Sequence, residues 1–125
     1  SKKYKNIHFT GFIPDAERDW IFTRSLAYVF PSLLEGFGLP PLEAMAYGTP
    51  VVSSNASCMP EILGDAAIYF DPLDIEDIAS KIDTVITDKS LRNTLSKKGK
   101  HQVAKYSWRR MAEQTLKVYE NAINS

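Results

Sequence analysis

A parallel, doubly wound α/β sheet, partial and followed by C-terminal helices, is the fold class this sequence predicts. Three observations predict it. Short apolar runs alternate with helix-length segments through residues 7–70, the order of a parallel sheet with crossover helices. The run at residues 26–30 is apolar between turn signals, as expected of a strand covered on both faces. After Asp71-Pro72 only helical periodicity remains. The 125 residues suit one domain, read as a single partial unit with alternating strands and helices over 1–72 and helices over 73–125.

Residues 7–12 read as the first strand, ended by Gly11-Phe12-Ile13-Pro14. Pro14-Asp15 opens a helix to about Arg24, with Asp15 as its N-cap. Residues 26–30 form a second strand. Pro40-Pro41 start the next helix, which stops at Gly48, and residues 49–53 give a third strand. A brief helix over 60–63 ends at Gly64, before a fourth strand at 67–70. Ile75, Ile78, Ala79, Ile82, Val85 and Ile86 recur at helical spacing behind the cap Asp74. A more polar helix follows from Leu91 to about Tyr106. Ser107 caps the last helix, whose stripe is Trp108, Met111, Ala112, Thr115, Leu116, Tyr119 and Ile123. Trp20 and Trp108 lie on helix stripes and are assigned to the core.

Composition removes several classes of function. The formal net charge is zero and the pI about 6.7, so no global field draws the chain to nucleic acid or anionic lipid. Lysines 2, 3 and 5, and 97, 98 and 100, read as a solvated arm and a polar helix face, and no nucleic-acid partner is expected. No apolar run approaches the ~18 residues of a membrane span. The single cysteine, Cys58, allows no intrachain disulfide and favours a reduced, cytoplasmic setting. His8 and His101 have no evident partner and read as structural. Cys58 lies near a strand-to-helix loop and reads as a buried thiol. Asp71, Asp74 and Asp77 read as turn and cap residues, and no metal site is expected.

The most informative stretch is Pro31-Ser32-Leu33-Leu34-Glu35-Gly36-Phe37-Gly38-Leu39-Pro40-Pro41-Leu42-Glu43-Ala44. A strand runs into a loop broken by glycines, and two prolines open a helix. Gly36 and Gly38 permit backbone shapes closed to side chains and let a ligand approach the main chain. The amides of Gly36, Phe37, Gly38 and Leu39 are then free donors. Prolines stand where a Ser, Thr or Asp cap would sit, so a ligand oxygen can take those donors. Carboxylates repel phosphate but accept from paired hydroxyls. Glu35 and Glu43 therefore fit the hydroxyls of a sugar whose phosphates lie on the amides. Plainer readings remain open here: Glu43 as a favourable first-turn charge, Glu35 as a solvated loop residue, and Gly-Phe-Gly as a tight turn packed on Phe37.

The run from Pro31-Ser32 through Pro50-Val51-Val52 resembles the donor-binding half of retaining glycosyltransferases with two Rossmann-like domains, the GT-B type of family 4. Their mark is two glutamates separated by seven residues, as Glu35 and Glu43 are. Glu-Gly-Phe-Gly-Leu-Pro, Leu-Glu-Ala-Met-Ala and Gly-Thr-Pro-Val-Val stand in the family's order. The likeness extends from Gly11-Phe12-Ile13-Pro14 through Pro60-Glu61-Ile62, Gly64-Asp65-Ala66-Ala67 and Asp71-Pro72 to Tyr106-Ser107-Trp108.

That resemblance implies a nucleotide-diphosphate sugar as donor and transfer with retention, without cofactor or metal. Glu35 would contact the transferred sugar as the catalytic group, by electrostatic support and positioning. Gly36, Phe37, Gly38 and Leu39 would bind sugar hydroxyls and diphosphate, Glu43 the ribose, and Gly11, Phe12 and Ile13 the base. It also implies an acceptor domain and a basic Arg/Lys pair upstream of these residues. The acceptor (a glycan, lipid or small molecule) would bind through that domain, and the isolated chain is expected to bind donor weakly or not at all and not to turn over. Any peripheral membrane association would depend on that domain.

In a doubly wound order 3-2-1-4-5-6, the strands here are the third to sixth, so a gap separates residues 7–12 from 26–30. Exposed edges would invite self-association. Two rival readings are a nucleotide-sugar-binding or assembly module without catalysis, and a generic α/β interaction domain.

Overall fold

A computed structural model describes residues 5–124; the expected basic arm lies partly outside them. The elements follow the order α1 (Asp15–Arg24), β1 (Tyr28–Phe30), α2 (Leu39–Ala46), β2 (Val51–Ser54), α3 (Met59–Leu63), a 3-10 turn (Gly64–Ala66), β3 (Ala67–Phe70), α4 (Ile75–Thr87), α5 (Lys89–Val103) and α6 (Trp108–Asn124). The strands form a parallel sheet ordered β1-β2-β3. Tyr28 pairs with Val51, and Val51 with Ala67. This is the adjacency expected of the last three strands.

Side chains alternate across a strand, and the core divides accordingly. On one face Phe22, Leu42, Met45, Val51, Met59 and Leu63 pack with Tyr28, Phe30 and Tyr69. On the other, Val52, Phe70, Val85 and Leu95 pack with Val29, Ile68, Ile78 and Ile82. Burying side chains of this size contributes roughly 1.5–3 kcal/mol each. Helices thus cover both faces of the sheet, and every residue of its central strand β2 is buried. α5 serves both layers, with Leu95 in one and Val103 in the other. It passes close to α2, since a Cβ on Gly99 would lie 3.0 Å from Met45 Cγ.

Several expectations are corrected. Residues 7–12 are not a strand: the segment is irregular and pairs with nothing in the sheet. A strand needs a hydrogen-bonded neighbour, and none lies beside it among the described residues. Its apolar residues are exposed, Phe12 at 97%. The sheet therefore has three described strands rather than four, and the gap expected between residues 7–12 and 26–30 has no strand on its far side. Asp15 is not the cap of α1. Pro14 holds that position without a side-chain bond, and Asp15 pairs with Arg18 instead. Trp20 and Trp108 are not core. They are 58% and 70% exposed, and Trp20 lies under the Arg24 guanidinium. The reason for Trp108 is that no residue of α6 is buried, so its whole apolar stripe is uncovered among the described residues.

Other capping expectations hold. The Asp74 carboxylate accepts from the Glu76 and Asp77 amides at 3.0 and 3.1 Å, and Ser107 Oγ accepts from the Arg110 amide at 3.0 Å. Asp71 and Asp77 brace the same turn: Asp77 Oδ2 accepts from the Asp71 amide and Asp71 Oδ1 from the Leu73 amide.

Candidate functional site

β1 ends at Phe30, and the chain crosses the carboxyl end of the sheet before α2 begins. Ligands bind at such strand ends in open α/β sheets. Gly38 is the N-cap of α2, with φ 98° and ψ 47°, and no side chain caps the helix. Only glycine enters this conformation freely. A Cβ at Gly38 would also collide with the Met59 methyl, and Met59 is completely buried. Gly36 is different. Its φ is not in the left-handed range and a Cβ there would meet nothing within 4 Å. The sequence reading treated the two glycines alike; only Gly38 needs the special backbone, and Gly36 leaves open approach.

The amides of Gly36, Phe37 and Gly38 meet no acceptor among the described residues. Pro40 and Pro41 have no N–H to offer, so the donors come from the loop more than from the helix proper. The Phe37 ring packs edge-on against Tyr106, with centroids 5.5 Å apart, which anchors the loop to the connection between α5 and α6.

Glu35 is half-buried. Its carboxylate accepts from Ser32 Oγ at 2.8 Å, and the Ser32 carbonyl in turn accepts from Ser54 Oγ at the end of β2. The Glu35 main chain is held from the β2–α3 loop. Ser57 Oγ donates to its carbonyl at 3.0 Å and accepts from its amide at 3.3 Å. The Cys58 thiol donates to the carbonyls of Glu35 and Phe37 at 3.5 and 3.4 Å. Cys58 is thus not the buried thiol expected from the sequence: it is half-exposed and lies against the loop.

Glu43 sits on the exposed side of α2, and its carboxylate has no hydrogen-bond or ion-pair partner among the described residues. Burial raises the pKa of the Tyr28 phenol, and Glu43 and Glu35 add to that shift, in that order. Both carboxylates thus lie within electrostatic reach of one hydroxyl. Arg18 on α1 also feels Glu43, although its raised pKa comes first from its bond to Asp19. Asp19 is held below the usual carboxylate range, first by the Tyr47 hydroxyl and then by Arg18.

The structure therefore gathers Glu35, Gly36, Phe37, Gly38, Leu39 and Glu43 at one end of the sheet. It ties Gly11, Phe12 and Ile13 to them by no hydrogen bond. Gly11 and Phe12 are exposed, and the segment leads into the helix that carries Arg18. Sequence reasoning missed Ser32, Ser54, Ser57 and Tyr28. The available signal was that loops after neighbouring parallel strands meet at the same sheet edge, which places residues 55–58 beside residues 31–38. A cavity of about 370 Å³ lies elsewhere, lined by Asp65, Lys97, Lys98, His101, Gln102 and Lys105. Two of its cations are already engaged, Lys98 with Asp65 and Lys105 with Gln102.

An open parallel α/β layer with an acid and unpaired amides at its strand ends defines a class, the α/β ligand-binding domains. Within it, the chain belongs to the family Glycosyl transferases group 1, whose model matches residues 2–102. It is 38% identical over 114 residues to the O-antigen chain mannosyltransferase B of Escherichia coli, an alignment covering 91% of this chain and 30% of that protein. Its fold matches a sucrose-phosphate synthase from Thermosynechococcus elongatus with a TM-score of 0.82 and 28% identity, over 94% of this chain and 30% of that one. It also matches the C-terminal domain of the glycosyl transferase group 1 family protein LpcC from Francisella tularensis, with a TM-score of 0.65 and 36% identity, over 78% of this chain and 51% of that one. The chain thus spans about a third of the length of the mannosyltransferase it resembles.

Proposed function

We propose that this chain is the donor-binding part of a retaining glycosyltransferase that uses a nucleotide-diphosphate sugar. The observation that carries the reading is the loop at the end of β1, where the unbonded amides of Gly36, Phe37 and Gly38 stand next to the braced Glu35 carboxylate. The amides take the diphosphate and stabilise the charge that grows on it as the anomeric C–O bond breaks. Glu35 accepts from sugar hydroxyls and offsets positive charge at the anomeric carbon. Glu43 accepts from the paired ribose hydroxyls. The acceptor hydroxyl attacks from the face the diphosphate leaves and gives its proton to a leaving phosphate oxygen, which retains configuration. Gly11, Phe12 and Ile13 meet the base. The reaction proceeds without a metal, the loop amides sharing the diphosphate with the basic pair that the family resemblance places upstream.

The sugar to test first is mannose, given the mannosyltransferase relative, with a glycan as acceptor. The test uses the whole polypeptide that carries this chain. Uridine-, guanosine- and adenosine-diphosphate sugars are titrated by calorimetry in EDTA, and transfer is followed by mass spectrometry. Glu43→Ala should weaken donor by roughly tenfold or more, the loss of a charge-assisted pair, and should weaken a ribose-free sugar phosphate far less. Glu35→Gln should lower kcat more than donor affinity. Binding of none of the donors by the wild-type protein overturns the proposal.

A further inference from the structure

The loop that presents Glu35 is held by a residue 22 positions further along the chain, beyond α2 and β2, and the geometry of that residue is unusual. Ser57 is the one described non-glycine residue with positive φ, at 58°. Such a backbone is disfavoured for a residue with a Cβ. Outliers of this kind persist where surrounding structure fixes them, often at functional sites. Here the surrounding structure is identifiable. The Ser57 hydroxyl donates to the Glu35 carbonyl and accepts from the Glu35 amide, so both capacities of one hydroxyl fall on the two main-chain polar groups of one residue. The next residue, Cys58, donates its thiol to the carbonyls of Glu35 and Phe37.

We infer that Ser57 is a positioning residue: its hydroxyl latches the Glu35 main chain to the β2–α3 loop, fixing where the Glu35 carboxylate and the Gly36–Gly38 amides point. This rests on the proposed function for its consequence in transfer, though not for the latch itself. The latch satisfies the Glu35 amide and turns its peptide so that the three following amides stay unbonded. Without it the Glu35 amide and carbonyl turn to solvent, and the loop samples several orientations. Groups that act on a reacting centre lose effect with small misplacements.

The test is Ser57→Gly, with Ser57→Ala beside it, in the whole polypeptide. Glycine accepts φ 58° without strain, so Ser57→Gly removes the hydroxyl and relieves the backbone together. Its denaturation midpoint should equal or exceed the wild type's, which a merely structural serine would not give. Hydrogen exchange of the Glu35 amide, read in the peptide spanning 33–39 whose Gly36–Gly38 amides are already unbonded, should rise roughly tenfold, the order expected for losing a hydrogen bond of this kind. Alkylation of Cys58 by iodoacetamide, read on its own peptide, should quicken likewise. Sugar transfer should fall with kcat reduced more than donor KM raised. Ser57→Ala should show the same loosening with a lower midpoint. Unchanged exchange and alkylation in both variants overturns the latch. A loosened loop with unchanged kcat overturns its positioning role. If the wild type transfers no sugar, the proposed function fails, while exchange and alkylation still decide the latch.

Discussion

Replacing Gly38 by alanine tests the claim that the two glycines of the β1–α2 loop have separate duties. At φ 98° a non-glycine residue costs roughly 1–2 kcal/mol. The added methyl also meets the Met59 side chain, whose methyl lies inside van der Waals contact and whose sulfur is 3.1 Å away. Met59 is flexible at that end but fully buried, so the lower part of the overpacking range applies, about 1 kcal/mol. The sum is about 2–3 kcal/mol, a large share of the 5–15 kcal/mol of an ordinary domain. Gly36→Ala incurs neither term, because its φ is ordinary and the space is open; its expected stability change is within about 0.5 kcal/mol. Urea unfolding of both variants, followed by circular dichroism, gives the two values. A Gly38→Ala loss below about 1 kcal/mol, or equal losses in the two variants, refutes the reasoning. In donor titration the order reverses for Gly36→Ala, whose methyl intrudes only on the approach to the amides: binding weakens in a protein of wild-type stability.

Two further predictions concern the frame. Asp74→Ala removes the acceptor for two amides at the start of α4 and should cost about 1 kcal/mol in urea unfolding, with Asp74→Asn recovering most of it. The Tyr69 hydroxyl donates to the Gly64 carbonyl at 2.6 Å, and burial, helped by Asp65, pushes its pKa up to about 12. The folded state therefore keeps this proton where the unfolded chain, near 10, has released it. Stability from this group is intact below pH 10 and falls as pH rises from 10 to 12. With the ring partly in solvent the loss is about 1 kcal/mol. Tyr69→Phe should remove that segment of the pH–stability curve, and an unaltered curve refutes the assignment.

The parts of the fold that read from sequence were those dictated by local chemistry. The buried strands announced themselves because both faces are covered, and Asp74 and Ser107 because a carboxylate or hydroxyl before an apolar stripe has few other uses. Residues 7–12 misled because apolar residues alternating with polar ones, as Ile7, His8, Phe9 and Thr10 do, have strand character whether or not a neighbour exists to pair with them. Trp20 and Trp108 misled because periodicity reports which face of a helix is apolar, not whether anything covers it. In the candidate site, the acids and the glycine loop were legible because they are contiguous. Ser57 and Cys58 were not: their partners lie 21 to 23 residues away in sequence, and only strand adjacency brings them together.

Local rules are broken in one place more than elsewhere, and the breaks are connected. β2 is Val-Val-Ser-Ser, all four residues buried, so two hydroxyls replace apolar groups at the end of a core strand. Each costs desolvation unless bonded, and each is bonded, Ser53 to the Ser54 carbonyl and Ser54 to the Ser32 carbonyl. Ser32 then braces the Glu35 carboxylate, and Ser57 braces its main chain. α2 begins without a side-chain cap, behind a left-handed glycine. Valine or leucine in place of the β2 serines would make a better core, and an aspartate before α2 a better helix. Departures of this kind in otherwise consistent sequences mark function. Here they converge on a single peptide segment and leave its amides unoccupied, which is the arrangement a bound anion would need.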